Sequence, residues 1–286
     1  MPYEAGKIVH RVMITSAVEP FDLPQNAVSS WEGFVSAGCP VAMVWHNSTV
    51  ADEVFITIGE DILIHHMPES KITACYLREK KSADNKLHRP ALHLYVFLLI
   101  HNILSMYDKY CIHSACVAKN GFAYLFLGKS GQGKTTLSNL LSNAGFDYMG
   151  DDLTFISRNE TGEIVVDSLL CAAKIVKDAP EGNLEKNIVD VIGKHHYTCA
   201  YRRKLGAVFM LHRSRENESH IRPTASQGSI YGELIHSGNN IKMQHHPQRW
   251  LDICEQAATL PAYDMFFGNK EYFNPGIFNT VINNRC

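Results

Sequence analysis

The sequence has almost no net charge: 27 lysines and arginines face 29 aspartates and glutamates, leaving −2 at pH 7 over 286 residues. Bulk electrostatics therefore recruit neither nucleic acid nor an anionic membrane surface. The chain also lacks the run of roughly 20 apolar residues that a membrane-spanning helix needs. Its most apolar window, 91–106, is interrupted by His93, His101 and Asn102. No C-x-x-C pair occurs among the eight cysteines, and a chain of this length builds a core without disulfide staples, so reduced thiols are expected. There is no internal repeat and no low-complexity tract. At 45% hydrophobic and 20% charged residues, the composition is that of a folded globular protein. The opening MPYEAGKIVH carries no apolar stretch of the kind that precedes a signal cleavage site, so the expected compartment is the cytoplasm.

What is present divides into two parts. Residues 1–108 hold short β-type runs, Val41 to Trp45, Val54 to Ile58 and Ile62 to His66, with Gly59 to Asp61 as the turn between the last two. This β-rich N-terminal portion ends in a helix expected over 90–107. There Pro90 is tolerated in the first turn, and Leu92, Val96, Leu99, Ile103 and Met106 recur at spacings of three and four. Residues 109–286 alternate strands and helices. Lys204 to His212 reads as a strand, and Gln248 to Thr259 as a helix ended by the approach of Pro261. The stretch 177–200 shows no clear period. The histidine pairs His65-His66, His195-His196 and His245-His246 lack the spacing of metal ligands and read as surface or filler positions.

One segment carries most of the chemistry. From Tyr124 to Ser138 the chain reads YLFLGKSGQGKTTLS, which satisfies G-x-x-x-x-G-K-[ST] without a mismatch. A backbone that wraps a phosphate must adopt conformations and approach distances that a side chain blocks, and Gly128, Gly131 and Gly133 meet that need. A helix beginning at the loop would turn its unpaired N–H groups toward the anion. Ser130, Gln132 and Thr136 belong to the same cradle. Lys134 would reach the outer phosphates, and the Thr135 hydroxyl would ligate a magnesium ion, or manganese in its place, bridging them. The helix should stop at Gly145. A parallel strand, Phe146 to Met149, should then return to the same sheet edge, bringing Gly150-Asp151-Asp152 to the triphosphate.

Ahead of the loop stands Asn120-Gly121, a strong two-residue hairpin signal. Pairing Lys119 with Phe122 and continuing outward puts His113 opposite Gly128, where its ring would lean over the phosphate site as a ligand, relay or γ-phosphate contact.

Taken together, His113-Ser-Ala, the hairpin, the Gly128 to Thr135 loop, one helix and Gly150-Asp151-Asp152 resemble the nucleotide core shared by HPr kinase/phosphorylases and ATP-dependent phosphoenolpyruvate carboxykinases. The likeness covers residues 111–156. By length and layout the chain is also similar to the small HPr-kinase-like serine kinases. The resemblance implies an α/β (α+β) fold: a P-loop core with a mixed sheet of that type, preceded by the β-rich portion. It implies ATP and magnesium, with Asp151 as general base toward a serine hydroxyl, Asp152 on magnesium, and His113 near the γ-phosphate or a second metal. The acceptor would be a peptide, a protein or a small molecule, and self-association is common in such relatives. Thr136 stands where HPr kinases have Glu, and their C-terminal phosphorylase signature is not found, so phosphorolysis is not implied. Carboxykinase chemistry on a keto acid and a catalytically silent ATP-binding module are the alternatives. A further cation is needed late in phosphoryl transfer, and Arg202, Arg203 and Lys204 are its sequence candidates.

Overall fold

The computed structural model of the chain describes residues 11–17, 22–33, 42–50, 53–59, 62–67, 69–78, 103–151, 154–168, 172–177, 185–190, 198–224, 226–238 and 247–283. It is a mixed α+β structure dominated by sheets, in two units: Met1–Tyr107 with Lys242–His245, and Asp108–Ile241 with His246–Cys286. No helix among the described residues is long and apolar enough to cross a membrane.

The first unit carries a six-stranded sheet of β1 (Arg11–Ala17), β2 (Ala27–Gly33), β3 (Ala42–Asn47), β4 (Val54–Ile58), β5 (Ile62–Met67) and β6 (Ile72–Arg78), in the order β1-β6-β5-β4-β3-β2. All pairs are antiparallel except β1 beside β6. Ile58 faces Ile62 across a turn in which Gly59 has φ 56°. His65 and His66 are structural rather than surface positions. The buried His66 places Nδ1 3.0 Å from Thr73 Oγ1, while His65 Nε2 lies 2.7 Å from Glu53 Oε1 and its ring stacks on Phe55. His195-His196, His245-His246 and most of the expected helix over 90–107 lie outside the described residues, although 103–105 are helical.

In the second unit the chain runs β7 (Tyr110–Ile112), β8 (Ala115–Lys119), β9 (Phe122–Leu127), α1 (Lys134–Asn143), β10 (Asp147–Gly150), β11 (Thr154–Arg158) and β12 (Ile164–Asp167). An antiparallel ribbon pairs β13 (Ala172–Lys177) with β14 (Glu185–Asp190), and β14 lies within the stretch 177–200 whose sequence showed no clear period. There follow β15 (Arg202–Arg213), β16 (His220–Pro223), α2 (Gln227–Ser237), α3 (Pro247–Ala258), β17 (Ala262–Phe267) and α4 (Asn279–Asn283). The main sheet has the order β10-β8-β9-β15-β12-β11-β7, with β17 beside β15 and β16 beside β17.

Two residues, His113 and Ser114, join β7 to β8, although β7 closes one end of that order and β8 lies next to the other. Three residue steps reach at most about 11 Å, so the sheet must curl until its ends approach. Side chains from β7, β8, β9, β15, β12 and β11, among them Ile112, Cys116, Leu125, Val208, Val166 and Ile156, share one core with Leu234 of α2 and Trp250 of α3. The alternate positions, including Val117, Tyr124, Phe126 and Phe209, pack under Leu137 and Leu141 of α1 and against Phe278. The strand period of two thus feeds both cores, one on each face. Cys111, Cys116 and Cys254 are buried free thiols in this unit, and burial pushes each well above the usual thiol range.

Helix α1 ends as its sequence asks. Phe146 N–H returns to Leu141 O (3.1 Å) and Gly145 N–H to Ser142 O (3.1 Å), with Gly145 at φ 85°, which is a Schellman cap closed by the buried Phe146. A Cβ on Gly145 would meet only Lys119 Nζ at 3.6 Å, so Gly145→Ala isolates the backbone term. It should destabilise the protein by about 1–2 kcal/mol, read as a lower urea midpoint at unchanged m-value.

Candidate functional site

Strand β9 is buried from Ala123 through Leu127 because it lies between β8 and β15 with a core on either face. It ends at Gly128, whose φ is 143°, and the loop then passes through Gly131 (φ 84°) and Gly133 (φ 97°) before α1 begins at Lys134. A Cβ on Gly128 would be 3.0 Å from Leu211 O, and one on Gly133 would be 2.8 Å from Phe267 Cδ1. Both positions are therefore closed to side chains on conformational and steric grounds alike. Lys129 N–H donates to Gln132 Oε1 at 2.7 Å. Lys134 is 5% exposed, and its Nζ donates to Gly128 O at 2.6 Å and to Lys129 O at 3.3 Å. The ammonium is thus drawn into the loop it follows. Gly133 gives α1 no side-chain cap and no acid stands in the first turn, so the positive end of the helix is not quenched locally. Thr135 and Thr136 are half-buried in that first turn, while Ser130 is exposed at the tip.

Asn120 and Gly121, at φ 52° and 84°, form the tight turn between β8 and β9, and the ladder runs in the expected register from Lys119–Phe122 to Ala115–Phe126. It stops there. The expected continuous strand over 111–119 is broken at His113 and Ser114, where the chain leaves β11 for β9. His113 does not pair with Gly128; its N–H donates to Ser237 O at the end of α2, 2.7 Å away. The half-buried His113 nonetheless sits two residues beyond the last pair, on the side where Gly128 lies two residues beyond Phe126.

The return from α1 also differs from expectation. Strand β10 is parallel in direction to β9 but not adjacent to it, because β8 pairs antiparallel with both. A two-residue hairpin closes at little entropic cost, so β8 takes that edge of β9, and β15 takes the other. Gly150 faces Cys116 after a bulge at Met149, which sets Asp151 at the level of Ala115, two strand spacings or about 10 Å from Phe126. Both Asp151 carboxylate oxygens are buried. The Ser114 and Thr154 hydroxyls are hydrogen-bonded, tying the His113 crossing to the segment that follows Asp151. Asp152 lies outside the described residues. Among the described residues, no group of three or more His, Cys, Asp or Glu side chains could hold a metal ion.

Arg202, Arg203 and Lys204 stand at the wrong end of β15 for the loop. Lys204 is opposite Phe122, six residues before Gly128, so the run begins roughly 20 Å from the glycines. Arg202 is spent on Asp167 (3.3 Å) and Lys204 on Glu163 (2.5 Å). Arg213, Arg215 and Lys270 stand at the loop end instead. With Gln132, Gly133 and Thr136 they line a groove of about 490 Å³. Sequence reading missed them because it could not see that the far end of β15 lies beside β9. The available signal was the polar run His212 to Glu218, which directly follows an apolar strand.

No protein-family model matches the chain, and no curated protein matches it. Among solved structures it shows a distant similarity to the Hpr(Ser) kinase/phosphatase from Coxiella burnetii, with 12% sequence identity and a TM-score of 0.35, over 61% of this chain and 95% of that one.

Proposed function

We propose that the protein is an ATP-dependent phosphotransferase with a P-loop core of the HPr kinase/phosphoenolpyruvate carboxykinase type, which transfers the γ-phosphoryl group to an alcohol, a serine hydroxyl above all. The observation that carries this reading is the junction of β9 and α1. There, three glycines at positive φ, a helix start without a side-chain cap and a buried lysine drawn onto the loop carbonyls follow one another within seven residues. The reading is supported further by Asp151, which directly follows β10, and His113, which precedes β8 by two residues, since β8 and β10 lie on one side of β9.

In this reading the loop amides from Gly128 to Thr136 hold the phosphates and Lys134 leaves the loop carbonyls for the outer phosphate oxygens, neutralising charge as the bond to the leaving group lengthens. Asp151 orients the acceptor hydroxyl and takes its proton, and His113 contacts the transferring group. Magnesium, or manganese, would be held by the Thr135 hydroxyl and the Asp152 carboxylate and would neutralise charge that develops on the phosphates. An ion bound largely through phosphates and water needs only one or two side chains, so this donor set fits.

Transfer of label from γ-labelled ATP to serine-containing peptides, with and without magnesium, tests the proposal. Lys134→Ala should weaken Mg-ATP binding by at least about tenfold, since a hydrogen-bonded charge contributes some 1.5–3 kcal/mol. Unchanged affinity in that variant would remove the loop from the function. Phosphoenolpyruvate formed from oxaloacetate would instead assign carboxykinase chemistry.

A further inference from the structure

The strand order has a consequence for how a donor must lie. Strand β9 and its glycine loop stand between two flanks: β8 and β10, next to whose ends come His113 and Asp151, and β15 with β17, at or just beyond whose ends come Arg213, Arg215 and Lys270. The groove of about 490 Å³ opens on the second flank and is lined by Gly131 to Gly133 and Thr136 but by neither Lys134 nor Asp151. A phosphate chain laid on the loop with its terminal group toward Asp151 therefore directs its inner phosphate and the group attached to it into this groove. That volume suits a nucleoside.

The groove's charge agrees with this direction. Arg213, Arg215 and Lys270 are exposed, and none of the three forms an ion pair among the described residues. The acid at the rim, Glu216, lies toward His220 at 3.8 Å. Three cations left without anions beside a helix start form an anion site. Ser214, Asn217 and Asn269 add neutral donors and acceptors along the same wall. Phe267 is 6% exposed and its ring is committed to Phe273 and to the space above Gly133, so the wall offers polar contacts in place of an aromatic shelf.

Resting on the phosphotransferase reading above, we infer that Arg213, Arg215 and Lys270 grip the inner phosphates of a nucleoside polyphosphate whose nucleoside occupies this groove, while the transferring phosphate faces the opposite flank. These are donor-binding residues, and they do not touch the reacting atoms. The double variant Arg213→Ala/Arg215→Ala should raise the dissociation constants of ADP and ATP by the same factor, about tenfold or more, because charge-assisted contacts to phosphate are lost equally from both. Arg213→Lys/Arg215→Lys should recover part of the affinity for both nucleotides. Both arginines are exposed, so a far-ultraviolet spectrum and melting temperature matching the wild type are expected.

Calorimetric titration of ADP and ATP into the wild type, the double variant and Lys134→Ala separates the possibilities. A wild type that binds neither nucleotide overturns both readings. If Lys134→Ala weakens binding while the arginine variant binds as the wild type does, only the groove assignment falls. The same holds if the arginine variant keeps nucleotide affinity but raises the KM of the acceptor, since the groove would then house the acceptor.

Discussion

Asp151→Asn is expected to abolish phosphoryl transfer while Mg-ATP binding survives. The substitution keeps the size and planarity of the side chain and removes only the charge and the capacity to take a proton. A positioned general base contributes about 10²–10⁴-fold, so single-turnover transfer should fall by that factor. The Asp151 oxygens are buried at the end of β10, and bulk water is poorly placed to replace the lost base. The register sets Asp151 about two strand spacings from Phe126, which itself precedes the glycine loop by two residues, so nucleotide affinity should change by no more than about threefold, which is under 1 kcal/mol. Transfer retained at more than about a tenth of the wild-type rate would take Asp151 out of the proton path. Loss of ATP affinity together with rate would make it a metal or folding residue instead.

The second large effect is expected at Gly133→Val. Gly133 combines φ 97° with a position where an added Cβ would come within 2.8 Å of Phe267 Cδ1. The left-handed conformation costs a residue with a Cβ about 1–2 kcal/mol, and a branched side chain in a filled site adds about 1–3 kcal/mol. Phe267 cannot simply swing aside, being packed with Phe273 and the α1 face of the core. A fall in melting temperature of roughly 4–20 °C should follow, with Mg-ATP binding undetectable because the loop can no longer close on an anion. Gly131→Ala provides the contrast: φ is 84° there, but nothing lies within 4 Å of its added Cβ. Normal stability and binding in Gly133→Val would show that the loop is looser than its geometry implies.

Local chemistry was the legible part. Asn120-Gly121 set the hairpin register because only residues tolerant of positive φ make that turn, and every pair from Lys119–Phe122 to Ala115–Phe126 follows. The helix after the loop and its stop at Gly145 were readable for the same reason, as were the strand within Arg202–Arg213 and the helix Pro247–Ala258, where an apolar run or a 3.6 period extends far enough to be decisive. Helix α2 was overlooked because Gly228, Gly232 and the serines dilute its pattern; its N-cap, Ser226 accepting from Ser229 N–H, is a local signal that could have revealed it. The β13–β14 ribbon was missed because Lys174, Lys177, Glu185, Lys186 and Asp190 leave each six-residue strand only a short apolar stretch.

Misplaced features all depended on partners distant in sequence. The break at His113 exists because the chain exchanges one strand neighbour, β11, for another, β9, within two residues. The insertion of β8 between β9 and β10, and the placing of Arg213 and Arg215 rather than Arg202, Arg203 and Lys204 at the loop end, follow from which strand edges were already taken.

By itself, the amino-acid order determined the glycine cradle, the lysine and threonine that follow it, and the tight ribbon that leads into it, because each rests on dihedral freedom and contacts within a few residues. Tertiary structure alone decided which flank of the glycine loop carries Asp151 and which carries Arg213, Arg215 and Lys270. That choice depends on how a curled sheet assigns its strand edges, and edge pairing is settled by burial and loop closure over the whole unit.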